Sequence, residues 1–305
     1  MLKKSLIILS ATSMLSLGAF TNSAQAETEG VKESAVTYGA NLDQSQKQQT
    51  ENILDANNAD KEYIVTSQDM SNYVNEHYDT VYSSTYIEPK KFGHGVEVEI
   101  VTPENISNVT QAQYENAAIT AGIQNANIKV GAVVKTLGYG ALSGIYKAME
   151  EQGVELNQND MQAAQDETQA LSDIKEQNQE VDDDVLNGSI ADMKSQVADK
   201  HQNNENVSDD DIHNIVNDTL KDNGLDQTLT DNQKSQIETI VQNANNSSAL
   251  QDDPNTYKQQ TDKLKDKLGS AMDQAREKAD KLHNDSQSEG GWWSDFKNFF
   301  KGLFS

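Results

Sequence analysis

A change of pattern at Gly153 divides this chain and limits what it can fold into. Before it, short runs of β-branched and aromatic residues alternate with capped helical stretches and glycines, the mark of a mixed α/β layer. After it, glycine and aromatic residues become rare until the extreme end, and Asp, Glu, Asn and Gln dominate. There the apolar residues recur only at helical spacing. The expected fold class is an α/β (mixed α+β) amino-terminal domain followed by a mostly α-helical, acidic carboxy-terminal region.

In the first half, Ala35-Val36-Thr37-Tyr38 reads as a strand ending at Gly39. Asp43 caps a helix, with Gln46 at the position that completes a capping box. Tyr63-Ile64-Val65 reads as a strand, and Ser67 as the cap of a helix to about Tyr78. Tyr82 to Glu88 is strand-like. From His94 to Val101 the alternation is strict, with Val96, Val98 and Ile100 on one face and Glu97 and Glu99 on the other, as in a half-buried strand. Thr110 and Gln113 form a second capping box, and Gly122 lies near the end of that helix. Asn127 to Val134 is the next strand, and Gly138 and Gly140 turn the chain into a helix over Ala141–Gln152.

In the second half, Met161, Ala164, Thr168 and Leu171 make a thin stripe, and Leu186, Ile190, Met193 and Val197 a second one that Gly188 weakens by about 1 kcal/mol relative to alanine. Ser208 caps a helix burying Ile212, Ile215, Val216 and Leu220. Thr230, with Gln233 behind it, caps another bearing Ile237, Ile240, Val241 and Ala244. The short link between these two suggests an antiparallel pair. Asn245 to Pro254 reads as a polar break. A long charged helix from about Thr256 to His283 carries Leu264, Leu268, Met272, Ala275, Ala279 and Leu282 inward on a stripe so narrow that it suits a partner-seeking or partly frayed helix equally well.

The two ends differ from both halves. Lys3 and Lys4, an apolar run from Leu6 to Phe20 and the exit Ala24-Gln25-Ala26 read as a secretory signal peptide cleaved after Ala26, with a retained amino-terminal anchor as the alternative. At the other end Trp292, Trp293, Phe296, Phe299, Phe300, Leu303 and Phe304 fall within an arc of about 140° on a helix. Such a patch marks an interaction surface. Three readings are open: the helix folds back onto its own core, lies in a membrane interface with Lys297 and Lys301 at the headgroups, or docks in a groove on a protein partner. The organisation expected is a signal peptide over 1–26, a flexible leader over 27–34, the mixed α/β domain over 35–153 and an acidic helical region over 154–245. A long charged helix over 246–284, a linker over 285–291 and an amphipathic aromatic tail helix over 292–305 complete it.

Composition removes several functions. With 24 basic against 49 acidic side chains the formal charge is −25, and the signal peptide carries two of the lysines and no acid. This surface repels phosphate backbones, so nucleic acid is not an expected partner. The chain has no cysteine, which excludes disulfides, thiolate metal sites, thiol catalysis and attachment through a lipidated amino-terminal cysteine. At 35% hydrophobic residues, a modest core and helices with wet outer faces are expected.

Motifs for chemistry are weak. Gly138-Tyr139-Gly140-Ala141-Leu142-Ser143-Gly144 sits between a strand and a helix, as a phosphate-cradling loop does, but the spacing is wrong and no acid follows at dinucleotide distance. A tight turn with close helix packing explains it better. His77, His94, His201, His213 and His283 do not pair at metal-ligand spacing, and Asp209 with His213 offers only a weak face. Asp182-Asp183-Asp184 lacks the glycine and terminal glutamate of a calcium loop and reads as a helix start. No Gly-x-Ser-x-Gly elbow is present. No catalytic residue, metal ligand or cofactor is assigned, and the tyrosines Tyr82, Tyr86, Tyr114, Tyr139 and Tyr146 read as packing.

Gly39-Ala40-Asn41-Leu42 with Gln46, Ile64-Val65-Thr66, Ile106 to Val109, Thr110, Tyr114, Asn116-Ala117 and Thr120-Ala121-Gly122-Ile123 carry a shared pattern. So do Gly140-Ala141-Leu142-Ser143-Gly144-Ile145, Lys147-Ala148, Glu150, Leu229-Thr230-Asp231-Asn232-Gln233 and Ile237. Over roughly residues 30 to 270 the chain resembles the secreted bacterial proteins of domain of unknown function 1002, the YpuA-like proteins. The strand at Lys129 to Lys135 departs from the proline-containing version of that pattern, and the aromatic tail is no part of it. The resemblance implies export by a Gram-positive bacterium and an envelope or extracellular location; it implies no activity, substrate or catalytic residue. The expected function is non-catalytic binding or association at the cell surface, with the seven apolar tail residues as the contact to a membrane or an envelope protein. Two alternatives are an exported hydrolase using carboxylates in a cleft of the α/β domain and an acidic protein binding divalent cations.

Overall fold

The computed structural model describes residues 30–75, 77–91 and 95–285, with side chains to residue 281. The residues expected to form the signal peptide, most of the expected leader, His94, and the expected linker and aromatic tail past Asp285 lie outside the described residues. The chain runs β1 (Ala35–Gly39), α1 (Gln44–Ile53), β2 (Lys61–Val65), α2 (Ser67–Val74), β3 (Ser84–Pro89), β4 (Glu97–Ile100), α3 (Gln111–Thr120), β5 (Ala126–Gly131) and α4 (Gly140–Glu150). It continues as α5 (Gln158–Gln177), α6 (Asp183–Gln202), α7 (Asp209–Asp222), α8 (Asp231–Asn246), α9 (Ser248–Asp252) and α10 (Pro254–Asp285). The protein is therefore mixed α+β, with its sheet near the amino terminus and helices after it.

Local chemistry sets the boundaries. Asp43 with Gln46, Thr110 with Gln113 and Thr230 with Gln233 close reciprocal capping boxes at the starts of α1, α3 and α8. Ser208 caps α7 with Asp211 as its partner. The start of α2 is shifted by one residue from the expectation. Thr66, not Ser67, is the cap, because its hydroxyl accepts the Asp69 N–H while the Asp69 carboxylate accepts the Thr66 N–H. That helix also ends early, at Asn75 in the left-handed conformation (φ 52°), well before Tyr78. The expected polar break holds a short helix, α9. Its first amides, Ser248 and Ala249, donate to the Asp160 carboxylate 88 and 89 residues earlier, a partner that local reading does not reveal.

The five strands form one sheet in the order β2-β1-β3-β5-β4. β1 and β2 run parallel, as do β4 and β5, while β3 is antiparallel to both of its neighbours. β4 is thus an edge strand. On one face α4 seats against β1 and β3, where Gly144 approaches Thr37 and Thr85. On the other face α1 covers Val36 and Tyr38, with Leu54 and Ala56 completing a small cluster.

Two larger apolar cores lie on either side of α3. Tyr114, Ala117 and Ala118 enter the core shared with the sheet, α4 and the start of α5; Ala112 and Ile119 enter the core of α5 to α10. This is why α3 departs from the expected helix with one wet face: every residue from Ala112 to Thr120 is buried. α10 packs along α6, with Leu264, Leu268 and Met272 buried and Ala275 partly so.

Candidate functional site

On the sheet face that carries Val36, Tyr38 and Tyr86, a groove of about 650 Å³ runs along the edge strand β4, walled on its far side by α3 and α10. Strand alternation supplies its polar groups. Glu97 and Glu99 point away from the core that holds Val98, and the register sets them beside Asn127 and Lys129 on β5, which in turn oppose Glu88 and Tyr86 on β3. α3 contributes Gln111, Glu115 and Ile119, and α10 contributes Gln260, Lys263, Leu264 and Lys267.

The charges are closely paired. Glu97 Oε1 accepts from Lys263 Nζ at 2.6 Å and from Lys90 Nζ at 2.7 Å. Hydrogen bonds from these two lysines, Lys263 foremost, hold the Glu97 carboxyl down at about 2. Lys90 is the buried member, with 8% of its side chain exposed, and desolvation pulls its ammonium below the ordinary lysine range. On the opposite wall the Glu115 carboxylate is 4% exposed and accepts from Lys267 Nζ at 2.6 Å. It also accepts the Val98 N–H at 3.0 Å. An edge strand leaves its outward backbone groups without a neighbour, and here a side chain from α3 takes the place of the missing strand.

Not every polar atom is matched. Gln260 is 5% exposed, lines the groove, and its Oε1 has no hydrogen-bond partner among the described residues; Asn127 Oδ1 is in the same position. Gly95 makes the approach of Gln260 possible. It has φ +86°, and a Cβ there would stand 3.3 Å from Gln260 Cγ.

Among the described residues no serine, threonine, histidine or cysteine lines the groove. A carboxyl held at about 2 is far from the range in which a general acid or base works near neutrality.

The other candidates fall apart spatially. Gly138, Gly140 and Gly144 belong to close packing: a Cβ on Gly138 would meet Tyr114 Oη at 2.7 Å, and one on Gly140 would meet Ser83 Oγ at 2.8 Å. A smaller hollow of about 220 Å³ lies beside this turn, bordered by Met70, Tyr78, Lys135 and Leu137. His213 contacts Asn217 and Glu238, His201 contacts Asn245, and His77 contacts Ser71. Asp182 caps α6 by accepting the Asp184 and Val185 amides, as expected of a helix start. Among the described residues no group of three or more His, Cys, Asp or Glu side chains is placed to hold a metal ion, and no helix is long and apolar enough to cross a membrane. Tyr114, Tyr139 and Tyr146 are buried in the core. Trp292, Trp293, Phe296, Phe299, Phe300, Leu303 and Phe304 lie outside the described residues.

Sequence reading did not single out the groove residues. Lys263 and Lys267 carry the one local signal, two lysines four apart on the same side of a charged helix; nothing local links them to Glu97 and Glu115, 166 and 152 residues away.

Comparison with known proteins agrees with the pattern of the sequence. The family described as "Protein of unknown function (DUF1002)" matches residues 38–264. A curated relative, "Uncharacterized protein YpuA" of Bacillus subtilis (strain 168), is 30% identical over 239 residues, covering 76% of this chain and 78% of the relative. No solved structure matches this chain.

Proposed function

The chain belongs to the DUF1002 family, and from that premise we propose that it is an exported cell-envelope protein that works by binding and not by catalysis. The observation that carries the binding reading is the state of the groove: its two best-placed carboxylates, Glu97 and Glu115, are each committed to lysines. Export is supported by the basic, apolar and small-residue sequence ending at Ala26. Attachment to the surface is assigned to Trp292, Trp293, Phe296, Phe299, Phe300, Leu303 and Phe304, in the stretch richest in aromatic residues.

The test is fractionation of a Gram-positive host expressing the full chain, with the amino terminus read by mass spectrometry. Protein beginning at Glu27 in the envelope or medium is the expected result, and isolated envelopes should retain it. Protein with Met1 to Ala26 intact in the cytosol overturns the reading.

The hydrolase alternative draws on one observation, the gathering of Glu88, Glu97, Glu99 and Glu115 around one groove. It requires a carboxyl free to titrate near neutrality. Glu97 does not meet that requirement.

A further inference from the structure

We infer that the groove beside β4 is the binding site for a short extended peptide with a free carboxylate, which Lys263 receives while Gln260 and Asn127 accept its amide N–H groups. This rests on the binding reading above and names the ligand for it.

Three features of the groove lead to that chemistry. The first is an accessible ammonium. Two ammonium groups share a single oxygen, Glu97 Oε1, and of the two Lys263 lines the groove with 46% of its side chain exposed. A ligand carboxylate fits there as a second acceptor for Lys263, and charge-assisted hydrogen bonds of this kind are the strong ones.

The second is the pair of unmatched acceptors. A buried amide oxygen without a donor is costly. Gln260 Oε1 and Asn127 Oδ1 have none among the described residues, and both belong to the groove. They call for a ligand that donates hydrogen bonds, which peptide N–H groups do.

The third is shape. Residues 95 to 99 line the groove consecutively, so it follows an extended strand and suits a ligand of the same extended form. Its volume lies within the range typical of small-molecule sites. Apolar side chains, Ile119 and Leu264 from the helices and Ile128 from β5, supply contact between the polar points.

The test uses the 15N-labelled mature chain and two random pools of N-acetyl tripeptides, one with free carboxylates and one with carboxy-terminal amides. The free-carboxylate pool should shift the Gln260 side-chain amide signal, with the amidated pool about tenfold weaker, the loss expected for one charge-assisted contact. Lys263→Gln should weaken the acid pool by a similar factor and leave the amidated pool unchanged. Glu97→Gln should strengthen the acid pool, because it removes the carboxylate that competes for Lys263.

Equal shifts from both pools, or none from either at millimolar concentration, overturn the inference. So does glucuronic acid shifting the same signals at lower concentration than the peptides, which reassigns the carboxylate to a sugar. Envelope retention with a flat peptide titration removes this ligand and leaves the binding reading in place. A positive titration of a protein that envelopes do not retain removes the envelope role and leaves the peptide site.

Discussion

Lys194 Nζ stands 2.6 Å from Glu167 Oε1, and neither side chain reaches solvent: they are 0% and 1% exposed. The ammonium also donates to Thr120 Oγ1 at 2.8 Å and to the Asn116 carbonyl at 3.3 Å. Four polar groups on α3, α5 and α6 therefore meet where the two larger cores join. Burial pulls the Lys194 ammonium down from the ordinary lysine range, opposed by the Glu167 charge.

Breaking this pair from one side strands a buried charge. Lys194→Met is expected to lower stability by about 3–5 kcal/mol, and Lys194→Met with Glu167→Leu to recover most of that loss, because a buried pair replaced by apolar groups of similar size is often neutral. Urea denaturation of the two variants and the parent measures both numbers. A double variant no more stable than the single one contradicts the pairing.

Acid should weaken the fold over a definable interval. Glu97 falls from 4.5 to about 2 on folding and Asp211 from 3.8 to about 2, the second through hydrogen bonds from Ser208 and then Lys200. Both are depressed in the folded state, so between those limits the unfolded chain binds more protons and stability falls as pH falls. Their contribution is whole above 4.5 and gone once the medium is more acid than about 2. Asp160 works in the other direction, since burial raises its carboxyl. The denaturation midpoint followed across this interval should slope downward into acid, and Glu97→Gln should flatten the slope. An unchanged slope in that variant contradicts the account of Glu97.

Gly144 should not tolerate a methyl group. A Cβ there would lie 2.5 Å from Thr37 Oγ1 and 3.1 Å from Thr85 Oγ1, the two hydroxyls that bond to each other between β1 and β3. Gly144→Ala gains helix propensity but forces α4 off the sheet, and overpacking of this kind costs about 1–3 kcal/mol. Adding Thr37→Ala removes the nearer obstacle, so the double variant should lose less than the two single losses combined. Strict additivity in thermal denaturation contradicts the contact.

These particular residues explain what was legible in the sequence. Capping boxes need only residues three apart, so Asp43, Thr110 and Thr230 announced their helices directly, and Thr66 was missed by one position because Ser67 offers the same hydroxyl. Strand alternation located Glu97 and Glu99 on the open face. In the sequence Gly188 only weakens its helix, because no partner for it is visible there. In the fold it is where α10 comes closest to α6: a Cβ there would stand 2.5 Å from Met272 Sδ. The groove was illegible for the same reason, since it draws on β3, β4, β5, α3 and α10 and has no local spacing to detect.

The aromatic tail yields the last prediction, from its sequence. Seven apolar side chains on one helical arc, several of them immersed, are worth on the order of several kcal/mol at a membrane. The formal charge of the whole chain, −25, opposes approach to anionic lipid. The opposing field reaches about 30 Å at 0.01 M salt and about 8 Å at 0.15 M. Flotation with anionic vesicles should therefore rise with salt over that range, the reverse of a basic peripheral protein, whereas neutral vesicles should bind at both. A chain ending at Gly290 should float with neither. Equal flotation of the intact and shortened chains assigns the tail to another surface, and flotation that falls with salt shows that charge, not apolar contact, drives the attachment.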